Sequence, residues 1–262
     1  LEQHWDRADI LARIDETAAV HVHTRNVTRF RLNVPRPQSG FIVDGRKIVG
    51  AKSESSPYFW FSRTAGQWQS LRELPADGLH KEPGLSGPII DAFMESFVFV
   101  RPTGKPLNEK SGAWVSREVA HATKMWRDIF RGDARIKPDT AITPDDIANH
   151  NLVLWGDPSS NEIIARILER LPLRWDAAKL VFRGHEYDAG HHVPMLIFPN
   201  PLNPRRYVVL NSGIDFRSDA YGTNALQIPK LPDFAIVDLE TPPGPKWPGR
   251  IVDAGFFDED WK

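Results

Sequence analysis

Apolar and polar residues alternate with period two along the first part of the chain. Ile10, Ala12 and Ile14 fall on one face of a first run, Val20, Val22 and Thr24 on one face of a second, and Phe30, Leu32 and Val34 on one face of a third. Successive side chains of a strand point to opposite sides, so this pattern predicts half-buried sheet. Arg25-Asn26 marks a turn between two of the runs. Asp44-Gly45 separates Phe41-Ile42-Val43 from Lys47-Ile48-Val49 and predicts a two-residue hairpin turn, both of whose centres need positive φ. An aromatic run at 58–62 and its return at 67–71 flank Thr64-Ala65-Gly66. Short strands at this spacing predict a small antiparallel β-sandwich over residues 1–80.

The pattern changes beyond the Pro- and Gly-rich stretch at 81–88. Phe97-Val98-Phe99-Val100 and Leu152-Val153-Leu154-Trp155 are continuous apolar runs, as expected of strands buried on both faces. Between them Trp114, Val115, Val119, Ala122, Met125, Trp126 and Ile129 recur at helical spacing, and Gly132 follows as a stop. Thr143-Pro144-Asp145-Asp146 carries the signature of a helix start, with a capping hydroxyl, a proline in the first turn and acids at the positive end of the dipole. Ser159 or Ser160 is placed to cap a helix bearing Ile163, Ile164, Ile167, Leu168 and Leu171. Two further strands are predicted at 195–198 and 207–210. Strand and helix in alternation predict an α/β domain over 81–262, Rossmann- or flavodoxin-like, with a mostly parallel sheet. The fold class expected is therefore α+β overall, with the Pro- and Gly-rich tail from Thr241 onward wrapping the surface.

Composition narrows the function classes. Among 262 residues, 33 basic side chains balance 34 acidic ones, which leaves no clustered positive surface for nucleic acid. No apolar run is long enough for a transmembrane helix. There is no cysteine, so disulfides, thiolate metal sites and cysteine nucleophiles are excluded together. The 22 prolines favour loops and edge strands over long helices.

Candidate chemistry is sparse. No Gly-x-Ser-x-Gly elbow exists, and Ser86, Ser111 and Ser212 stand next to glycines without its spacing. His185-Glu186-Tyr187-Asp188 with His191 and His192 is the densest polar cluster. It lacks a helical histidine pair, Asp188-Ala189-Gly190 looks like a hairpin turn, and hydrogen-bonding loop histidines are the expectation; neither a metal nor a cofactor is called for. In a parallel sheet, ligands collect beyond the carboxyl ends of the strands. Arg101, Gly156, Asp157, Ser159, Asn161 and Asn211 all follow predicted strands there, and a helix start beside Arg101 suits a small polar or anionic ligand. The competing reading has Asp157, Ser159 and Asn161 capping a helix and tying down a loop. Trp114, Trp126 and Trp155 read as core, whereas Tyr58, Trp60 and Trp68 are free to form an interface patch.

Several segments, taken together and in order, resemble the C-terminal region of bacterial α/β-hydrolases of the prolyl oligopeptidase type. They include His21-Val22-His23-Thr24-Arg25-Asn26-Val27-Thr28, Pro83-Gly84-Leu85-Ser86-Gly87-Pro88-Ile89 and Phe99-Val100-Arg101-Pro102-Thr103-Gly104. Leu154-Trp155-Gly156-Asp157-Pro158, Pro199-Asn200-Pro201-Leu202-Asn203-Pro204 and Val209-Leu210-Asn211-Ser212-Gly213 continue the series. Ser86 and Ile90 depart from the pattern, standing where Gln and Asp are expected. In that family the catalytic serine, acid and histidine lie in an upstream hydrolase domain, and none maps onto a position here. The resemblance implies that Leu1 follows such a domain. It further implies that this chain is its non-catalytic accessory region and that the whole is secreted or periplasmic. A stand-alone binding protein using the strand-end crevice is the alternative.

Overall fold

Contacts divide the chain, described here from a computed structural model, into two units, Leu1–Gly78 and Leu79–Lys262. The structure describes residues 1–262 except 4–5, 36, 55, 74–77, 215–216, 218, 220–221, 224 and 226–230.

The first unit holds β1 (Asp9–Ile14), β2 (Val20–Arg25), β3 (Arg29–Leu32), β4 (Phe41–Val43), β5 (Arg46–Ile48), β6 (Phe59–Thr64) and β7 (Gln67–Leu71). They form two sheets, ordered β1-β2-β4-β5 and β3-β6-β7. Val20, Val22, Phe41 and Val43 of one sheet share a core with Phe30, Phe59 and Phe61 of the other, and the Phe41 ring centroid lies 4.9 Å from both Phe59 and Phe61. Asp44 and Gly45 take φ of 46° and 81°, the turn that their sequence predicts. The sheets are not wholly antiparallel, however. After β2 the chain crosses to the other sheet for β3 and returns as β4, so β2 and β4 run parallel. The half-burial expected of β1 also fails: Ile10, Leu11 and Ile14 are 48%, 65% and 59% exposed.

The second unit begins with β8 (Phe97–Arg101), α1 (Glu109–Phe130), β9 (Ile136–Pro138), α2 (Pro144–Asn149), β10 (Asn151–Leu154) and α3 (Glu162–Ile167). It continues with β11 (Leu173–Trp175), β12 (Lys179–Phe182), β13 (His185–Asp188), β14 (His192–Asn200), β15 (Asn203–Leu210), β16 (Phe234–Asp238) and β17 (Arg250–Gly255). A seven-stranded sheet has the order β17-β16-β14-β15-β10-β8-β9, and β11-β12-β13 form a separate antiparallel sheet.

This overturns the expected mostly parallel α/β domain and, with the mixed sheet of the first unit, the expected fold class. The protein is mostly β, with several sheets and mostly antiparallel pairing. In the seven-stranded sheet β9, β8, β10 and β15 run parallel, whereas β14, β16 and β17 pair antiparallel. The physical reason is local. Pro201-Leu202 closes β14 and β15 into a hairpin, which reverses the chain without a helix. The runs 195–198 and 207–210 are apolar throughout, and a continuous apolar run carries no information about direction.

The core is built largely as its periodicity implies. Trp114, Val115, Ala122 and Met125 of α1 and Ile163, Ile164 and Ile167 of α3 join Val98, Val153 and Val209 of the sheet in one cluster. The tail does not wrap the surface. It supplies edge strand β17, and Phe257 and Trp261 are buried in the same core. Among the described residues no helix is long and apolar enough to cross a membrane.

Candidate functional site

Register fixes the strand-end crevice. Val100 pairs with Leu154 and Leu154 with Leu210, so β8, β10 and β15 end at one level. The segments that follow them, at Arg101, Gly156 and Asn211, are thereby brought to one edge.

Their polar atoms are engaged with one another and with the backbone. Asn161 is the N-cap of α3, as the capping reading of this loop has it, and not Ser159 or Ser160. Its Oδ1 accepts from the amides of Ile163 (3.0 Å) and Ile164 (3.2 Å), and its Nδ2 donates to the carbonyls of Trp155 (2.9 Å) and Val100 (3.4 Å). The Glu162 amide donates to Oδ2 of Asp139 at 2.7 Å. Asp157 accepts from the Ser159 and Ser160 amides through Oδ1, each at 2.9 Å, and from the Leu107 amide through Oδ2 at 3.0 Å. Oδ1 of Asn211 accepts from the Gly156 amide, and its Nδ2 donates to the carbonyls of Gly156 and Pro194. Arg101 and Ser159 are exposed.

The chemistry of this edge follows. The first amides of α3, which an anion would need, already have carboxylate or amide oxygens on them. Asp157 is held as an acceptor for three backbone N–H groups, an arrangement that ties 102–107 to 156–161. A cavity of about 360 Å³ lies beside it, lined by Pro102, Pro106, Gly112, Val115, Gly156 and Ser160 among others. Its walls are small and mainly apolar side chains. The Arg101 guanidinium is not among its lining groups.

A second constellation lies at the start of β14. The segment 188–191 is not a hairpin turn, because β13 pairs with β12 while β14 pairs with β15 and β16; it carries the chain from one sheet to another. Register then sets His192 opposite Asp238, and Asp238 opposite Arg250. His191, His192 and Asp238 each place one potential ligand atom within 4.8 Å of the other two. Oδ1 of Asp238 lies 3.1 Å from Nδ1 of His191 and accepts from the Glu240 amide at 2.9 Å. Oδ2 accepts from Nε and Nη2 of Arg250 at 3.1 and 2.5 Å. Burial alone would raise the Asp238 pKa; the bonds from Arg250, Glu240 and His191 outweigh it and hold the carboxyl well below its ordinary range. His185 and Glu186 are exposed and stand apart, Glu186 pairing with Lys179.

Sequence reasoning named the two histidines but missed Asp238. It ends an apolar run 46 residues downstream of His192, and only the strand order makes it a neighbour. Two buried ionic contacts went unnoticed for the same reason, Glu118 with Arg217 at 2.7 Å and Lys81 with Asp233 at 2.6 Å. No family model, curated protein or solved structure matches the chain.

Proposed function

We propose that this chain is a non-catalytic accessory region of a larger serine hydrolase, and that it packs on, or presents substrate to, a catalytic α/β-hydrolase domain of the same polypeptide. The observation that carries the reading is strand β1. It is the edge strand of its sheet, and it exposes Ile10 and Ile14 on one face and Leu11 on the other. An exposed apolar edge strand is an association hazard that natural proteins blunt with charge, proline or a covering element. A domain of the same polypeptide is a cover that is always in place, which makes it the occupant favoured here. The segments of the family resemblance add support. Gly156-Asp157-Pro158 and Asn211 use their polar atoms to build loops, as an accessory region requires. A secreted or periplasmic location accompanies this reading.

The test has two arms. The purified chain is incubated with a p-nitrophenyl ester and a fluorophosphonate; neither turnover nor a labelled serine is expected. The natural polypeptide that carries the chain is then read upstream for a Gly-x-Ser-x-Gly segment, and hydrogen exchange at 9–14 is compared between that polypeptide and the chain alone. Slower exchange in the longer protein supports packing at β1. Stoichiometric labelling of a serine in the chain itself, or the lack of any hydrolase domain in the natural polypeptide, ends the reading. Saturable binding of a small anion that Arg101→Ala removes would favour the stand-alone binding protein instead.

A further inference from the structure

We propose that His191, His192 and Asp238 form a binding site for a divalent transition-metal ion of the Zn²⁺ class. The three residues come from the start of β14 and the end of β16, so a sheet rather than a flexible loop positions them. Asp238 is a buried carboxylate, and the two imidazoles are half-buried with ring centroids 4.3 Å apart. Nitrogen and oxygen ligands at about 2.0–2.1 Å around a tetrahedral ion stand roughly 3.3 Å from one another. Nδ1 of His191 and Oδ1 of Asp238, at 3.1 Å, already span one such edge. The third ligand atom, on half-buried His192, lies within 4.8 Å of the other two.

The surroundings resemble a supporting shell. Nδ1 of His192 donates to the Asp188 carbonyl at 3.0 Å. A carbonyl only accepts, so Nδ1 carries the proton and Nε2 of the neutral ring is left with the lone pair a metal needs. Nε2 of His191 faces Oδ2 of Asp188 at 3.6 Å, so that Nδ1 serves as its ligand atom while the far side of the ring is steadied by a carboxylate. Arg250 holds Oδ2 of Asp238, while Oδ1, which also accepts from the Glu240 amide, faces His191. With the neutral ring of His191 carrying its proton on Nε2, toward Asp188, the Nδ1 lone pair and the carboxylate oxygen are the atoms that would bind the metal. Arg250 competes for the charge on that carboxylate, so removing it strengthens the site.

The experiment is a titration of the tag-free, metal-stripped full chain with CoCl₂, followed by calorimetry and by the visible absorption of bound cobalt. One equivalent of Co²⁺ is expected, with a visible band characteristic of low coordination number, displaced by Zn²⁺. His192→Ala, at a half-buried side chain, is expected to weaken binding at least tenfold while leaving the circular dichroism unchanged; Arg250→Gln is expected to tighten it. Binding of equal strength in His192→Ala places the ion elsewhere and overturns the proposal. The absence of binding by wild type at millimolar Co²⁺ overturns it as well.

Discussion

Asn211 closes a ring with Gly156. Its side-chain Oδ1 takes the Gly156 amide at 2.8 Å and its Nδ2 gives to the Gly156 carbonyl at 3.0 Å, so one amide side chain pairs with one residue as a neighbouring strand would. The Asn211 backbone takes φ of 53°, a left-handed conformation that asparagine tolerates better than most residues. Both partners are buried. Asn211→Ala is expected to destabilise the second unit by about 2–6 kcal/mol, because it removes the side-chain partner of the buried Gly156 amide and carbonyl at roughly 1–3 kcal/mol each. Urea unfolding measures this; a change under about 1 kcal/mol would mean that water replaces the side chain.

Gly156→Ala tests the same junction from the other side. Gly156 has φ of 108°, and a Cβ there would lie 2.5 Å from Oγ of Ser160 and 3.1 Å from Cβ of Pro102. Strain of about 1–3 kcal/mol from the backbone adds to the clash. The control is Gly132→Ala, where the space is open. A lowered denaturation midpoint for the first variant and little change for the second is the expected pair.

Acid sensitivity is expected to trace in part to Asp146. It closes a capping box with Thr143 and accepts from Lys137 at 2.7 Å. Burial pushes its pKa up, but the bonds from Lys137 and Thr143 prevail and bring it from 3.8 to about 2. The folded state therefore holds its proton less tightly than the unfolded chain does. The stabilisation is complete above pH 3.8 and disappears as pH falls through about 2. Asp146→Asn is expected to cost about 1–2 kcal/mol at neutral pH, a capping loss, and progressively less below pH 4. Midpoints that differ by the same amount at neutral and low pH would refute this assignment.

The residues 79–262 hold a self-contained cluster, from Leu85 and Ile89 to Phe257 and Trp261. Expressed alone they are expected to unfold in one cooperative transition, with fluorescence and circular dichroism coinciding. Two separated transitions within this fragment would show that the antiparallel half of its sheet folds apart from the parallel half.

The parts of this structure legible in sequence are those where side-chain period alone decides. Phe97-Val98-Phe99-Val100 and Leu152-Val153-Leu154 are strands, Trp114 to Ile129 lie on one helix, and Asp44-Gly45 is the turn its composition demands. Direction was not legible. Met195-Leu196-Ile197-Phe198 would look the same in a parallel or an antiparallel strand, and the two residues that decide, Pro201 and Leu202, are unremarkable as a hairpin turn. The error did not reach the crevice, whose strands β8, β10 and β15 run parallel as its argument required. There the three strand ends do share an edge, but Asn161 and Asp157 turn inward to backbone amides. The Asp238 cluster depends on register between β14 and β16, separated by more than thirty residues of chain, and no local pattern in either strand announces it. Ile10 and Ile14 show the converse: their alternation is real, yet the face it defines is left open.

The placement of Trp261 has a consequence for synthesis. Its ring packs against Phe198, Tyr207 and Phe257, in the same cluster that contains Phe99. A ribosome working at roughly 5–20 residues per second needs about 10–30 s to travel from one to the other. Throughout that interval the aromatic strand at 97–100 has been made while the last plug of its core has not. Phe198 and Tyr207, the earlier-made rings that Trp261 packs against, wait uncovered on that side for the last part of the interval, and in that window a holding chaperone would have most to shield.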